Sequence, residues 1–558
     1  MRILLLTHSF NSLTQRLFCA LQEGGHQVSV EFDIADSVAE EAVALFRPDL
    51  IVAPYLRRAI PESIWSRHCC LIVHPGIAGD RGPAALDWAI RERLPEWGVT
   101  VLQAEAEMDA GPVWAAERFP LPAARKSSVY RNQVSDAALR AVLTAVARFA
   151  GGDFTPQRVP GQAHAPMRQA DRAIDWRRMS TFDALARLDA ADGAPGVADE
   201  LFGQPCRLFD AWPEGALRGV PGALLGRRET AILRATADGA IWLGHVRRGD
   251  GLKLPATLAF PEAASLPELP LAGWWRAEGA TWQDIAYEEA AGVGFLSFAF
   301  YNGAMSAGQC RRLLEAFRWA AERPTRVIVL GGGPDFWSNG IHLNVIEAAD
   351  SPADESWANI NAIDDLAEAI LECRSHLTVA ALAGNAGAGG CFLARAADLV
   401  WARDGVILNP HYRNMGNLYG SEFWTYLLPP RVGDEGARAI MRRRLPMTAA
   451  EAVALGFYDA CLPAAGFTAE VARRAAELAA APDFAARLAA RIERRAADEA
   501  NKPLAAWRAG ELAEMQRNFY GFDPSYHVAR YHFVARSPHS WTPRHLARHR
   551  DLGWNIPR

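Results

Sequence analysis

The sequence predicts an α/β chain of several domains. Short apolar runs alternate with amphipathic stretches over the first 120 residues and again from about residue 274, the pattern of parallel sheets covered by helices. Between about 170 and 265 the pattern breaks, and Gly and Pro punctuate short apolar runs, which predicts a small β-rich, barrel-like domain. A length of 558 residues also exceeds what one hydrophobic core ordinarily serves.

Ile3–Leu6 reads as a buried strand, and Ser12–Gly24 as a helix with Ser12 at its N-cap and Gly24-Gly25 as its stop. Val28–Val30, Asp49–Ala53 and Cys69–Val73 add strands, so this β-α alternation predicts a parallel sheet. Lys126–Ala150 reads as a long helix ending at Gly151-Gly152, and Gly151–Pro166 as a linker. In the second region Ile174–Leu188 reads as a helix, with strands at Leu208–Ala211, Ala231–Ala235 and Ala240–Gly244. Phe260–Gly273 holds several prolines and reads as a second linker. Beyond Trp274, Val293–Phe300, Val327–Leu330 and Leu377–Ala383 read as strands. Arg311–Glu322, Asp364–Cys373 and Val471–Ala500 read as helices. The stretch 519–558 reads as turns and aromatics, with six Arg and five His against two Asp from Gly521 onward. These boundaries divide the chain at 1–165, 166–270, 271–505 and 506–558.

Half the residues are hydrophobic and 22% are charged, which excludes global disorder. The 59 basic and 64 acidic residues exclude a chain-wide cationic surface for nucleic acid. The eight cysteines include no CxxC pair, so reduced thiols in a cytoplasmic protein are expected, with neither a disulfide framework nor a metal cage. The N-terminal apolar run is too short for a signal peptide, and no run is long enough to cross a bilayer.

Two polar clusters stand out. In the first, Leu71-Ile72-Val73-His74-Pro75-Gly76 puts a histidine just past a buried strand, where α/β sheets bind ligands. Gly79-Asp80-Arg81-Gly82-Pro83 follows, and then Met108-Asp109-Ala110-Gly111-Pro112 puts a carboxylate in a glycine turn. These residues leave two readings open: a proton relay between His74 and Asp109, or a strand-closing His and a simple Asx turn. Their wording resembles the N10-formyltetrahydrofolate-dependent formyltransferases, which carry N-x-H-P, RG-P and M/L-D-x-G-P motifs. The resemblance covers roughly residues 1–265. It implies a Rossmann-like formyltransferase domain followed by a β-rich domain, with His74 and Asp109 assisting formyl transfer beside the pterin. The family's catalytic Asn falls on Ile72, whose side chain cannot donate to an oxyanion.

In the second cluster, Gly331–Ile341 follows a strand, and Gly384–Cys391 forms a glycine-rich turn between a strand and a helix. Such loops present backbone N–H groups to anions, although they also serve close packing; neither has a P-loop ending. Phe336-Trp337-Ser338-Asn339-Gly340-Ile341 and Ala386-Gly387-Ala388-Gly389-Gly390-Cys391 resemble motifs of the crotonase (enoyl-CoA hydratase/isomerase) superfamily. That resemblance covers roughly 280–500. It implies that the amides of Ile341 and Gly389 polarise a coenzyme A thioester carbonyl. The positions of the two hydratase glutamates hold Phe392 and His411. Tyr412 and Glu422, in the polar-aromatic stretch 409–422, are the acid/base candidates. Taken over both halves, Arg81, Gly82, Arg131, Gly340 and Gly390 are the candidate cofactor-binding residues.

The order of the halves, with the segments VHPGIAGDRGP, MDAGP and NPHYRNMGNLYGSEFWTYLLP, resembles the hydrogenase maturation factor family HypX (HoxX) along the whole chain. That resemblance implies formyl transfer from N10-formyltetrahydrofolate to coenzyme A, then decarbonylation of formyl-CoA to carbon monoxide, with hydrogenase maturation proteins as partners. Release of formate, or a non-catalytic folate- and CoA-binding scaffold, are the competing readings.

Overall fold

A computed structural model describes residues 1–537 and 541–551. It forms two units, Met1–Glu268 joined by the C-terminal segment, and Leu269–Ser537.

The first unit is built around β1 (Arg2–Thr7), apolar from Ile3 to Leu6 because it is buried on both faces. With it stand β2 (Gln27–Phe32), β3 (Leu50–Ala53), β4 (Cys70–His74), the short β5 (Asp80–Arg81), β6 (Glu96–Gln103) and β7 (Val113–Pro120). Six of them form one sheet in the order β2-β1-β3-β4-β6-β7. The pairs among β1 to β4 are parallel, as the β-α alternation predicts, but β4–β6 and β6–β7 are antiparallel. The short connection between β6 and β7 explains the latter, since a parallel neighbour needs a long crossover. Asn11, not Ser12, caps the first helix, accepting from the Thr14 amide at 3.0 Å. The long helix runs from Lys126 to Gly151 but passes through a π turn at Tyr130–Val134.

β8 (Gln162–Ala163) pairs with β5. Of the expected helix Ile174–Leu188, only Thr181–Ala191 extends into it, because Ser180 caps the Asp183 amide at 3.1 Å and sets the start there. The β-rich region is antiparallel: β9 (Val197–Leu201), β10 (Gln204–Glu214), β11 (Leu224–Arg228), β12 (Ala231–Ala235) and β13 (Ala240–Arg248) lie in the order β11-β12-β13-β10-β9, and β14 (Lys253–Pro255) also pairs with β13. Leu208, Ile232, Ile241, Leu243 and Phe260 form its core.

The C-terminal segment covers β2, an edge strand whose free N–H groups need partners. Val30 donates to the Leu546 carbonyl at 3.0 Å, and the Phe32 amide to Thr542 Oγ1 at 2.8 Å. Glu31 is fully buried under this segment, bonded by Thr542, by His549 Nε2 at 2.9 Å and by Arg550 Nε at 2.7 Å. Residues 538–540 and 552–558 of the expected C-terminal extension lie outside the described residues.

The second unit carries β15 (Ile285–Ala290), β16 (Val293–Phe298), β17 (Val327–Gly332), β18 (Phe336–Ser338), β19 (Leu377–Leu382), β20 (Asn385–Gly387), β21 (Leu399–Arg403), β22 (Ile407–Asn409), β23 (Met447–Thr448) and β24 (Ala460–Leu462). They form two sheets, β15-β16-β17-β19-β21-β24 and β18-β20-β22-β23. Parallel pairing dominates both, so the strands end together where the glycine-rich loops leave them. The helix expected at Asp364–Cys373 begins earlier, at Pro352, where Ser351 caps it, and ends at Leu371. Val471–Ala500 splits into Phe467–Ala480 and Phe484–Asn501, because Pro482 cannot continue a helix. The stretch after residue 519 is not all turns: Ser525–Ala535 is helical, and Arg530 pairs with Glu347 at 2.7 Å. Tyr526 packs inside, whereas Tyr531 and Phe533 are exposed. Among the described residues, no helix is long and apolar enough to cross a membrane.

Burial pushes the Glu31 carboxyl up, but bonds from His549, Thr542 and Arg550 outweigh it and hold it below its ordinary value. A depressed carboxyl contributes stability that is present above the ordinary Glu value of about 4.3 and is lost as pH falls through the folded value. Glu31→Gln is therefore expected to lower protection of the Val30 amide about tenfold near neutral pH, and to flatten the acid loss of protection that the natural chain shows. Hydrogen exchange at Val30 and Phe32 reads both effects.

Candidate active sites

In the first unit, His74 is the last residue of β4 and is buried. The strand holds it by pairing with β3 and β6, and the chain then leaves at Pro75-Gly76. Its Nε2 lies 2.9 Å from Asp80 Oδ1, and its Nδ1 lies 3.6 Å from Asp109 Oδ2. The other Asp80 oxygen lies 3.1 Å from Nε2 of His164. Asp109 sits in a left-handed conformation, with φ at 55°, and accepts the Gly82 amide at 3.2 Å. That bond ties the two motif-bearing loops together over the end of the strand.

The sequence-predicted pair is thus adjacent, and Gly82 joins it. Arg81 instead reaches Glu107 at 2.8 Å. Arg131 is half-buried in the π turn, a distortion common at functional sites. Ile72 is half-buried against an apolar cluster and offers no donor. Asp80 and His164 escaped sequence reading. Asp80 lies in the loop Gly79–Pro83 beside the motif arginine, and His164 in the stretch Gly151–Pro166 that reads as linker. The one signal was an aspartate six positions after His74.

In the second unit, the loop ending at Gly340-Ile341 touches the loop ending at Gly389-Gly390. A Cβ on Gly340 would stand 3.3 Å from the Gly389 nitrogen, and a Cβ on Gly390 would overlap the Ser338 carbonyl. The Ile341 and Gly389 amides therefore belong to loops in contact, as a two-donor oxyanion site requires. A Cβ on Gly389 would overlap Glu422 Oε1, so the carboxyl fills the space that a side chain would occupy.

Tyr412 Oη lies 2.6 Å from Glu422 Oε2 and 3.0 Å from the Ser421 carbonyl oxygen. Its ring stacks on Phe392, with centroids 5.7 Å apart and planes at 13°. Gly420 packs against the same ring, which any Cβ there would strike. One of the positions that the crotonase resemblance aligns with a glutamate thus serves here as an apolar platform; His411, at the other, is buried.

Glu422 and Phe423 both have φ of 59°, a conformation that costs non-glycine residues energy and persists only where the surroundings hold it. Two buried carboxylates do so. Asp364 accepts from the Glu422 amide at 2.8 Å and from Ser421 Oγ at 2.6 Å. Glu511 accepts from the amides of Phe423 and Thr425 at 2.9 and 2.8 Å and from Thr425 Oγ1 at 2.5 Å. Burial, then the charge of Asp364, raises Glu422 well above its ordinary value. Burial, then the charge of Glu422, does the same to Tyr412. Asp364 and Glu511 were not singled out as site residues in the sequence. Each shares its helix with other acidic residues, and only packing reveals that it is buried.

These two sites, on two folds, define a class: a formyltransferase-like half followed by an enoyl-CoA hydratase/isomerase-like half. Formyl transferase matches residues 31–146, the formyl transferase C-terminal domain 166–260, and enoyl-CoA hydratase/isomerase 299–521. Methionyl-tRNA formyltransferase of Ralstonia nicotianae is 27% identical over 39% of this chain and 70% of its own. Hydrogenase maturation factor HoxX of Bradyrhizobium diazoefficiens is 56% identical over 99% of this chain and 97% of its own. The crystal structure of HypX from Aquifex aeolicus in complex with tetrahydrofolic acid is 46% identical, covers 100% of both chains and superposes with a TM-score of 0.97. The chain belongs to the hydrogenase maturation factor family HoxX/HypX.

Gly389→Ala should displace the Glu422 carboxyl and destabilise the second unit by about 1–3 kcal/mol. Gly331→Ala is the control, since its Cβ would meet nothing within 4 Å. Denaturant unfolding of the two variants is expected to separate them; equal midpoints would refute the packing of Glu422 on Gly389.

Proposed function

We propose that the chain makes carbon monoxide for the iron centre of [NiFe] hydrogenase in two steps, in the cytoplasm and alongside other maturation proteins. In the first, the formyl carbon of N10-formyltetrahydrofolate passes to the thiol of coenzyme A. The bond to N10 breaks, a carbon–sulfur bond forms, and the thiol proton moves to N10. His74 and Asp109 carry that proton, and Asp80 fixes the imidazole so that Nδ1 faces Asp109. A thiol acceptor is compatible with Ile72, because a thiol is far more readily deprotonated than an amine and needs less help from an oxyanion donor. The folate-bound relative and the formyl transferase matches support this step.

In the second step formyl-CoA splits into carbon monoxide and coenzyme A. The carbon–hydrogen and carbon–sulfur bonds break, sulfur keeps one electron pair, carbon keeps the other, and the hydrogen leaves as a proton and ends on sulfur. The Ile341 and Gly389 amides hold the carbonyl oxygen, with Gly340 and Gly390 allowing the two loops to meet. Tyr412 and Glu422 take the formyl proton and protonate the departing thiolate. Both are buried, and a dry pocket limits hydrolysis to formate. The observation that carries this reading is the buried Tyr412–Glu422 pair against the Gly389 backbone, at a site that lacks both hydratase glutamates.

The test is to mix the protein, N10-formyltetrahydrofolate and coenzyme A anaerobically with reduced haemoglobin. A carboxyhaemoglobin spectrum above the enzyme-free control is expected. Formate without it would favour a hydrolase, and no turnover of either kind would favour a scaffold. Tyr412→Phe and Glu422→Gln should each lower carbon monoxide formation at least 100-fold while coenzyme A binding stays within about threefold; loss of binding alone would remove their assigned roles.

A further inference from the structure

Two acceptors face one proton at Tyr412. Its hydroxyl can donate once, yet both the Ser421 carbonyl oxygen, at 3.0 Å, and Glu422 Oε2, at 2.6 Å, lie within hydrogen-bond reach. The carbonyl can only accept. Both contacts are satisfied together only when Glu422 carries its own proton: Glu422 then donates to Tyr412 Oη, and Tyr412 donates to Ser421.

The surrounding charges lead to the same arrangement. Asp364 on the helix Pro352–Leu371 and Glu511 on the helix Leu504–Tyr520 face the same backbone turn as Glu422. Glu511 takes the amides of Phe423 and Thr425 and the Thr425 hydroxyl, so among these only the hydroxyl could accept a proton from it. Asp364 takes the Glu422 amide and the Ser421 hydroxyl, with Arg508 Nε at 3.9 Å. Arg508 is shared with Asp365 at 2.6 Å and Glu368 at 2.8 Å. The Glu422 charge is also felt by the buried thiols of Cys310 and Cys391, which burial holds in the neutral form. Burial also raises Asp364 to about 6 and Glu511 to about 8. Three buried carboxyl groups around one backbone turn repel one another when charged, and the hydrogen-bond geometry at Tyr412 places a proton on Glu422.

We infer that Glu422 rests as the neutral carboxylic acid, and that Asp364 and Glu511 are positioning residues that keep it so while holding residues 422 and 423 in their left-handed turn. The inference rests on the decarbonylation reading for its use. Glu422 Oε1, against Gly389, accepts the formyl proton as the Oε2 proton passes through Tyr412 to sulfur. One proton enters the pair, one leaves, and the acid is restored.

The test is infrared difference spectroscopy of the full chain without substrate. A carboxylic-acid C=O stretch, shifted by deuterium exchange, should be present at neutral pH and missing in Glu422→Gln. Asp364→Asn keeps an acceptor for the Glu422 amide but removes a like charge, so the band should bleach about one pH unit or more lower. Glu511→Gln should shift it the same way and provides the readout if the first variant fails to fold. A spectrum with no band dependent on Glu422 overturns the inference, and a bleaching pH unmoved by both variants overturns the role of Asp364 and Glu511. Neither readout needs turnover, so a chain that shows the band but releases no carbon monoxide would refute the decarbonylation reading alone.

Discussion

A carboxyl group buried in the space that a glycine leaves open sets the terms for the second unit. Glu422 fits only because residue 389 lacks a Cβ, and it stays there only because its own backbone adopts a left-handed turn that hydrogen bonds must hold. Those bonds come from Asp364 and Glu511, on helices remote in sequence. The Phe392 platform and the bare face of Gly420 then leave the Tyr412 ring one orientation, with its hydroxyl on Glu422. A site so closely packed has little room for water, and its carboxyl and phenol favour their neutral forms for the same reason.

The first unit solves a related problem differently. His74 stands at a strand end between two carboxylates, and the loops that carry them are stitched together by the bond from the Gly82 amide to Asp109. Strand pairing places the histidine, and the shortness of the β6–β7 connection places Asp109 opposite it. Asp80 holds one ring nitrogen at 2.9 Å and Asp109 faces the other at 3.6 Å, so the ring is oriented before any substrate arrives. The C-terminal segment belongs to this unit as well. It satisfies the edge of β2 and buries Glu31, so the end of the chain supports the sheet near its beginning.

Local patterns made most strands legible. Apolar runs of four to six residues flanked by turn residues correspond to β1, β3, β4, β17 and β19. The errors came where a few atoms decide. Asn11 won the cap from Ser12, Ser180 delayed a helix, Pro482 split another, and a short hairpin turned two strands of the first sheet antiparallel. The basic, aromatic end of the chain was the least legible, because its helix packs Tyr526 inward while leaving Tyr531 and Phe533 in solvent, a division with no clear period in the sequence.

What the sequence by itself determined is the alternation of strands and helices in each half, because short apolar periods and local turn chemistry are encoded within a few neighbouring positions; the resemblance of its motifs added the two families, their order, and the candidates His74, Asp109, Ile341, Gly389, Tyr412 and Glu422. Only the tertiary structure decided what surrounds those residues: Asp80 and His164 around the histidine, Asp364 and Glu511 around Glu422, and Thr542, His549 and Arg550 around Glu31. The cost of burying a charge depends on which distant groups share its pocket, and no local pattern states that.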